Sequence, residues 1–145
     1  MTTGIHFEWR YGLLTAALLA AIYWTSSIPD LSTTESDPLL LLAQNLAHAP
    51  VFAALAFCWL RALSGAMEIS GPAYGAAALA TSVCAVLDEW HQAFVPGRHC
   101  SVGDVLMDVA GIGAMLVIVR LCPRVFMSCR EASAQGANWN LQENR

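Results

Sequence analysis

The strongest constraint on the fold is a short segment, dense in ionisable residues, that lies between two long apolar runs. Residues 87–111 read LDEWHQAFVPGRHCSVGDVLMDVAG. Seven polar residues of this segment are candidates for a site: Asp88, Glu89, His91, Gln92, Arg98, Asp104 and Asp108. Because unpaired charge in contact with lipid is costly, we expect these side chains to face other protein groups or a polar cleft.

The first part of this segment has the pattern of a helix with one polar face. At about 100° per residue, a single face of the wheel holds Asp88, Glu89, His91 and Gln92. Trp90 points away from that face. The same face continues backwards through small residues, which suit close contact between helices in a membrane: Ala85, Cys84, Thr81 and Ala77.

The second part predicts a turn followed by another helix. Pro96 and Gly97 end the first helix, because the residue before a proline is pushed out of the helical conformation. Beyond the turn, one helical face carries Ser101, Asp104, Asp108 and Gly111. The two helices are therefore expected to turn acidic faces toward a common space, with Arg98 in the loop between them.

Composition indicates a membrane protein. Of the 145 residues, 57% are hydrophobic and 12% are charged, whereas about a quarter of the residues in a soluble domain are charged. The formal net charge is −4 and the sequence contains no Lys, so the basic surface that nucleic-acid binding requires is missing. The five cysteines have neither C-x-x-C nor zinc-finger spacing, which predicts no disulfide framework and no structural metal site.

Four apolar segments are each long enough to cross a hydrocarbon layer of about 30 Å. The predicted spans cover about residues 11–28, 39–60, 72–95 and 101–122. We predict an all-α membrane protein whose four transmembrane helices pack as a small bundle, within one domain of residues 1–122. A polar cytoplasmic tail, residues 123–145, is expected to be mobile. The first span is expected to be retained and not cleaved as a signal peptide, because it ends in the bulky aromatics Tyr23 and Trp24.

The start of the second span carries further signals. Asp37 can cap free backbone amides, and Pro38 suits the first helical position. His48 lies on an inward face with other polar residues, which makes it a functional candidate. Pro50 removes one backbone hydrogen bond and so predicts a kink beside His48.

The distribution of arginines predicts the orientation. One side of the four spans is flanked by Arg10, Arg61, Arg120, Arg124 and Arg130. Arg98 alone falls on the other side. The positive-inside rule then places both termini in the cytoplasm of a multi-pass cell-membrane protein, with the polar segment facing outward.

The pattern D-E-x-H-Q-x-F-V-P-G-R, followed by S-x-x-D-x-x-x-D-x-x-G, resembles the signature region of the VanZ-like family of small integral membrane proteins. Ser26, Ser27 and Pro29 at the exit of the first span, and His48 in the second, occur in the order that the family shows. Asp108 departs from the pattern, since an amide is expected there. The resemblance implies four spans and, for some members, a link to resistance against glycopeptide antibiotics, teicoplanin in particular. It implies no reaction.

The leading hypothesis is a cell-envelope protein that binds an anionic or phosphate-bearing amphiphile in an outward-facing polar cleft. The expected partners are membrane lipids, lipid-linked envelope precursors or a lipoglycopeptide. The planar guanidinium of Arg98 can bind phosphate or carboxylate through two parallel hydrogen bonds. The candidate ligand-binding residues are His48, Gln92, Arg98, Asp104 and Asp108.

Three alternatives stay open at this point. One is a membrane-embedded hydrolase or transferase in which Asp88 or Glu89 acts with His91 as general base and acid. No cofactor is required, although a divalent cation held by His48, His91 and Glu89 would neutralise surplus negative charge. A proton- or ion-coupled lipid transporter is another, because buried Asp and His residues are typical of transporters. Four spans are few for a transporter, and the sequence leaves the oligomeric state open.

The third alternative is purely structural. In it Arg98 forms an ion pair with Asp88 or Glu89, and no ligand is bound. The second polar helix would then be capped by an S-x-x-D arrangement of Ser101 and Asp104. Asp108 would bond to His48.

Overall fold

The computed structural model describes residues 8–29, 38–64, 69, 71–98 and 100–122, and residues 38–47 by their backbone alone. The described residues form helices and turns and contain no strand. The helices are α1 (Trp9–Ser26), α2 (Pro38–Ser64), α3 (Gly71–Gln92) and α4 (Val102–Leu121). The prediction of an all-α chain with four helices is therefore confirmed. The tail of residues 123–145 lies outside the described residues.

Helix α2 begins at Pro38, as predicted, because a proline at the first helical position loses no hydrogen bond. Asp37, the expected cap, lies outside the described residues. The helix continues to Ser64, past the end of the predicted span near Leu60. Arg61 is buried in the last turn, and its guanidinium carbon lies 5.2 Å from the centre of the Tyr11 ring. This cation–π contact allows a charged residue to extend an apolar helix.

Helix α3 ends at Gln92, before the predicted end near Val95. The amide of Phe94 donates to the carbonyl of His91 at 3.0 Å, and that of Val95 donates to the carbonyl of Gln92 at 3.0 Å. These short-range bonds replace helical ones and wind the chain into turns. Gly97 follows with φ of 79°, a conformation that glycine adopts without steric cost. The predicted break is confirmed, but it begins earlier than Pro96.

Helix α2 contacts each of the other three helices, and α1 makes no contact with α4 within the described residues. The amide of Glu8 donates to the carbonyl of Ala62 at 2.7 Å, which joins the start of α1 to the end of α2. Leu60, Ala73 and Val119 share one buried cluster, so the start of α3 meets the ends of α2 and α4. Helices α1 and α3 therefore run opposite to α2 and α4. We call the other end of the bundle, where α1 and α3 finish, the polar end.

The inward face of α3 consists of small residues, as predicted. Ala77, Thr81 and Ala85 are buried, and Cys84 is half-buried. The Thr81 hydroxyl donates to the carbonyl of Ala77 at 2.8 Å, so its polarity is satisfied within the helix. Small side chains let α3 approach the apolar core closely, where the largest buried side chains include Phe52, Leu55 and Leu60.

Helices α2 and α4 are in close backbone contact at Gly111. A Cβ atom added at Gly111 would overlap the carbonyl oxygen of Ala49. Gly111 therefore permits a backbone-to-backbone contact that any side chain would prevent. The contact sets α4 beside the part of α2 that carries His48, and this positions the polar end.

By length and apolar composition, one described helix could cross a membrane, and it is α4. The part of α2 from His48 to Ser64 is apolar but shorter. Large apolar side chains are exposed along the outer faces of α1, α3 and α4, among them Leu13, Leu79, Val83, Val86, Leu106 and Val117. The kink predicted at Pro50 and the cytoplasmic placement of both termini stay predictions.

Candidate ligand-binding site at the polar end

Arg98 attaches the loop between α3 and α4 to the end of α1. Its Nε atom donates to the carbonyl of Ile28 at 3.4 Å, and its Nη2 atom donates to the carbonyl of Thr25 at 3.2 Å. A cation at the C-terminal end of a helix is favourable, because the carbonyl dipoles there point outward. Within the described residues, the side chain makes these bonds and not the predicted ion pair with Asp88 or Glu89. The remaining guanidinium N–H groups are available to a ligand.

His91 also faces α1. Its Nε2 atom lies 2.9 Å from Oγ of Ser27, and its ring centre lies 4.8 Å from that of Tyr23. The Ser27 hydroxyl donates its proton to the carbonyl of Tyr23 at 2.6 Å. Since a hydroxyl has one proton, Ser27 accepts its second hydrogen bond from the Nε2–H group of His91. His91 is therefore a donor that holds α3 against α1.

Glu89 joins α3 to the start of α4. Its Oε2 atom accepts a hydrogen bond from the amide of Ser101 at 2.9 Å. Ser101 caps α4, since its Oγ atom accepts from the amide of Gly103 at 3.1 Å. In a capping box, the side chain three residues after the cap would bind the amide of the cap residue. Glu89 takes that place here, so the predicted role of Asp104 in the cap is wrong, whereas capping by Ser101 is confirmed.

Asp88 and Gln92 bond to each other within α3. The Nε2 group of Gln92 donates to Oδ2 of Asp88 at 2.8 Å, and both side chains are buried. Residues four positions apart lie one above the other on a helix, which permits this bond. Gln92 thus supplies a neutral partner for one buried carboxylate.

Asp108 has no such partner. Its side chain is 1% exposed, and neither Oδ1 nor Oδ2 has a hydrogen-bond partner among the described residues. The predicted bond to His48 is therefore not formed. Asp108 lies within electrostatic range of Glu89, Asp88 and Asp104, and Glu89 is also within range of His48. We call these four carboxylates the acidic cluster.

A cavity of about 270 Å³ lies between α1, α2 and the loop that carries Arg98. It is lined by Ile22, Thr25, Ser26, His48, Val51, Phe52 and Arg98. The basic groups of this lining come from His48 and Arg98, and its apolar wall comes from α1 and α2. A few polar groups beside an apolar wall are typical of small-molecule sites, and these polar groups suit an anion.

A model of the VanZ/LLP1 family matches residues 4–123 of the chain. The chain belongs to the VanZ/LLP1 family. The match extends over all four helices, so the resemblance identified from the sequence is confirmed. Membership supports a VanZ-like membrane protein in general. No curated protein and no solved structure matches the chain.

In this VanZ/LLP1 chain the predicted site residues form two neighbouring groups instead of one cleft. The acidic cluster lies between α3 and α4, and Gln92 bonds to one of its members. Arg98 and His91 bind α1. His48 belongs to both groups, because it lines the cavity and lies within electrostatic range of Glu89. The ligand-binding and catalytic roles of these residues stay predictions.

Among the described residues, the side chains of His91 and Glu89 do not hydrogen-bond to each other. These residues are two positions apart, or about 200° around a helix, so they point to different neighbours. Glu89 bonds to the start of α4, and His91 bonds to the end of α1. Among the described residues, no group of three or more His, Cys, Asp or Glu side chains is arranged to hold a metal ion. The metal site formed by His48, His91 and Glu89 is therefore not assembled there.

Sequence reasoning missed α1 as a partner of the polar segment. Thr25 and Ile28 contribute backbone carbonyls, which any residue type provides, so the sequence holds no signal for these contacts. Tyr23 enters the sequence argument only as a bulky aromatic at the end of the first span. A signal did exist at Ser27, because the Ser-Ser-x-Pro exit of α1 and the polar segment both belong to the VanZ/LLP1 pattern.

Proposed function

We propose that the chain is a multi-pass protein of the cell membrane that binds an anionic or phosphate-bearing amphiphile in the cavity at the polar end. The cavity itself is the observation that carries the proposal. It places the basic side chains of Arg98 and His48 next to the apolar side chains of Ile22, Val51 and Phe52. An amphiphile presents the same pair of surfaces, a charged head group and a hydrocarbon tail.

The distribution of polarity supports the membrane part of the proposal. Buried positions hold Asp88, Glu89, Gln92 and Asp108, while large apolar side chains are exposed on the outer faces. A soluble protein would have the opposite arrangement, since contiguous exposed apolar surface indicates contact with lipid or a partner. Ionisable residues turned toward the interior of a bundle are typical of functional sites in membrane proteins.

Each group of the cavity has a distinct role in the proposed complex. Arg98 is fixed by the carbonyls of Thr25 and Ile28, so its free N–H groups are held in place before a ligand binds. Preorganised donors of this kind bind phosphate or carboxylate without further loss of side-chain entropy. His48 adds a second hydrogen-bonding group. The acidic cluster behind it disfavours deeper entry of the anion and keeps the head group near Arg98.

The expected occupants are membrane lipids, lipid-linked envelope precursors and lipoglycopeptides. A role in glycopeptide resistance, against teicoplanin in particular, follows if the occupant is the antibiotic or an envelope precursor. The enzymatic alternative has weaker support, because His91 and Glu89 bond to different helices.

The test uses a variant that fills the cavity and a matched control. Val51 lines the cavity and is 38% exposed, whereas Val83 is 48% exposed on α3 and lies outside the cavity lining. The purified full-length protein in mild detergent is titrated with phosphatidic acid and with diacylglycerol that carry the same fluorescent acyl chain. We expect the phosphate-bearing probe to bind at least about tenfold more tightly, or about 1.4 kcal/mol.

Val51→Trp is expected to weaken binding of phosphatidic acid by about tenfold or more, because the indole occupies the site of the ligand. Val83→Trp should leave binding unchanged. Equal binding of the two probes would show that the phosphate is not recognised. Unchanged binding by Val51→Trp would place the ligand elsewhere.

Proton-coupled lipid transport is a second candidate, favoured by the buried and unpartnered Asp108. In proteoliposomes, a pH gradient is then expected to accelerate exchange of a fluorescent phospholipid between leaflets. Asp108→Asn should abolish the dependence on the gradient. If lipid exchange by the unmodified protein does not depend on the pH gradient, proton coupling is excluded. The association state in mild detergent would show whether several copies of the chain form the lipid pathway.

A further inference from the structure

The acidic cluster contains buried carboxylate oxygens that have no hydrogen-bond partner among the described residues, and the binding proposal makes no use of them. Asp108 is 1% exposed and Glu89 is 2% exposed. Both side-chain oxygens of Asp108, and Oε1 of Glu89, have no hydrogen-bond partner within the described part of the chain. A buried carboxylate without a partner is too costly to persist as an anion, and it is usually neutralised.

Among the described residues, the groups around these carboxylates do not supply enough positive charge for two carboxylate anions. From α3 comes Asp88, whose Oδ2 already accepts from Gln92. Asp104 on α4 is also within electrostatic range of Asp108. His48 on α2 acts on Glu89, and Arg98 bonds instead to α1. Repulsion among neighbouring carboxylates disfavours a second negative charge in the same way that burial does.

We infer that Asp108 and Glu89 form a proton-binding site that holds one proton at neutral pH. Binding adds a proton from water to a carboxylate oxygen of the pair, forming one O–H bond and removing one negative charge; release reverses this. The new hydroxyl also supplies a hydrogen-bond donor to the pair. Strongly interacting carboxylates titrate as a pair, so the proton belongs to the site and not to one residue alone.

A proton fits this site better than a metal ion. In the described residues no set of three or more potential ligands is arranged around a common point. The oxygens left free belong to two side chains, and Oε2 of Glu89 is committed to the amide of Ser101. The inference does not depend on the proposed amphiphile, since it concerns groups that do not line the cavity.

Infrared spectroscopy of the purified full-length protein tests the site directly. A protonated carboxyl group gives a C=O stretching band that a carboxylate lacks. We expect this band at pH 7, its downshift in heavy water, and its loss at high pH. A spectrum of the unmodified protein without the band at pH 7 would overturn the inference, and this measurement requires no variant.

Two substitutions assign the band, and a third serves as the control. Asp108→Asn is expected to remove it, because the amide keeps the shape of the side chain and cannot carry the proton. Glu89→Gln should change its titration, since the partner charge is gone. Glu8→Gln, at the opposite end of the bundle, should retain the band with an unchanged titration. A band that Asp108→Asn leaves intact, or that Glu89→Gln leaves with the same titration, would contradict the pair.

The metal-ion alternative is separated by thermal unfolding at constant ionic strength. The melting temperature is compared in choline chloride and in sodium, magnesium and calcium chlorides. We expect the same value in each salt, because a proton fills the site. A rise specific to one ion, present in the unmodified protein and absent in Asp108→Asn, would assign the site to that ion and overturn the proton assignment.

Discussion

Arg98 combines two functions that the sequence alone could not separate. Its side chain lines the cavity, and its N–H groups donate to the carbonyls of Thr25 and Ile28. The first function predicts an effect on ligand binding and the second an effect on stability. A loss of binding in Arg98→Ala is therefore informative only if the effect on folding is known.

We predict that Arg98→Ala lowers the stability of the folded chain by about 1 kcal/mol, which corresponds to a melting temperature about 2–4 °C lower. The value is small because both bonds are exposed to solvent and at least 3.2 Å long. Arg120→Ala is the control. Arg120 lies in the last turn of α4, and its side chain makes no hydrogen bond within the described residues.

Thermal unfolding of the purified variants in detergent measures this difference. Arg98→Lys keeps the positive charge and removes the planar arrangement of donors, so its stability should fall between those of the unmodified protein and Arg98→Ala. Equal loss in the Arg98 and Arg120 variants would show that the bonds to α1 contribute nothing beyond general charge effects.

At the scale of the helices, the close approach of α2 and α4 determines where the site forms. The Cβ of an alanine at Gly111 would meet the backbone of Ala49, next to His48. Gly113 lies on the same helix with nothing within 4 Å of an added Cβ. The two glycines therefore separate a packing requirement from helix propensity.

We predict that Gly111→Ala destabilises the chain by about 1–3 kcal/mol, because backbone atoms must move apart to admit the methyl group. Gly113→Ala should instead stabilise it by about 0.5–1 kcal/mol, since alanine is the better helix former. Thermal unfolding of both variants is the measurement. A Gly111→Ala protein as stable as Gly113→Ala would show that α2 and α4 are not in backbone contact at Gly111 and Ala49.

The helices could be predicted from the sequence because each has a local cause. Pro38 begins α2, Ser101 caps α4, and Pro96 with Gly97 reverses the chain after α3. The extension of α2 beyond the predicted span has no local cause, because the contact of Arg61 with Tyr11 joins residues far apart in sequence. Long-range contacts of this kind leave no periodic pattern and no characteristic residue in the sequence.

The residue types of the candidate site could be predicted from the sequence, but the hydrogen-bond partners of these residues could not. Glu89 and His91 lie about 200° apart around the helix, so the predicted single polar face is too wide to meet one neighbour, and the wheel does not tell which helix each side chain meets. The structure divides the face between α4 and α1. The acceptors of Arg98 are backbone carbonyls, so no side-chain pattern could have indicated them.

For the whole molecule, charge and polarity differ between the two ends of the bundle. The end opposite the polar end holds Arg10 at the start of α1, and Arg61 and Arg120 in the last turns of α2 and α4. The polar end holds Arg98 and the acidic cluster. By the positive-inside rule, this asymmetry favours a cytoplasmic arginine-rich end and an outward polar end.

Two native cysteines allow this orientation to be tested. Cys100 is exposed just before α4, at the polar end, and Cys122 is exposed just after α4, at the opposite end. Variants that retain one of these cysteines, with the others replaced by alanine, are treated in intact cells with a maleimide that does not cross membranes. We predict that Cys100 reacts in intact cells and that Cys122 reacts only after the membrane is permeabilised.

The pattern of labelling distinguishes the possible arrangements, because the two thiols lie at opposite ends of a single helix. Reaction of Cys122 alone in intact cells would reverse the orientation and turn the cavity toward the cytoplasm, where an outward-facing envelope ligand could not reach it. Reaction of both thiols from the same side would show that α4 does not cross the membrane. Reaction of Cys100 in intact cells, and of Cys122 only after permeabilisation, is the one result that shows both that α4 crosses the membrane and that the cavity and the acidic cluster lie near the outer surface.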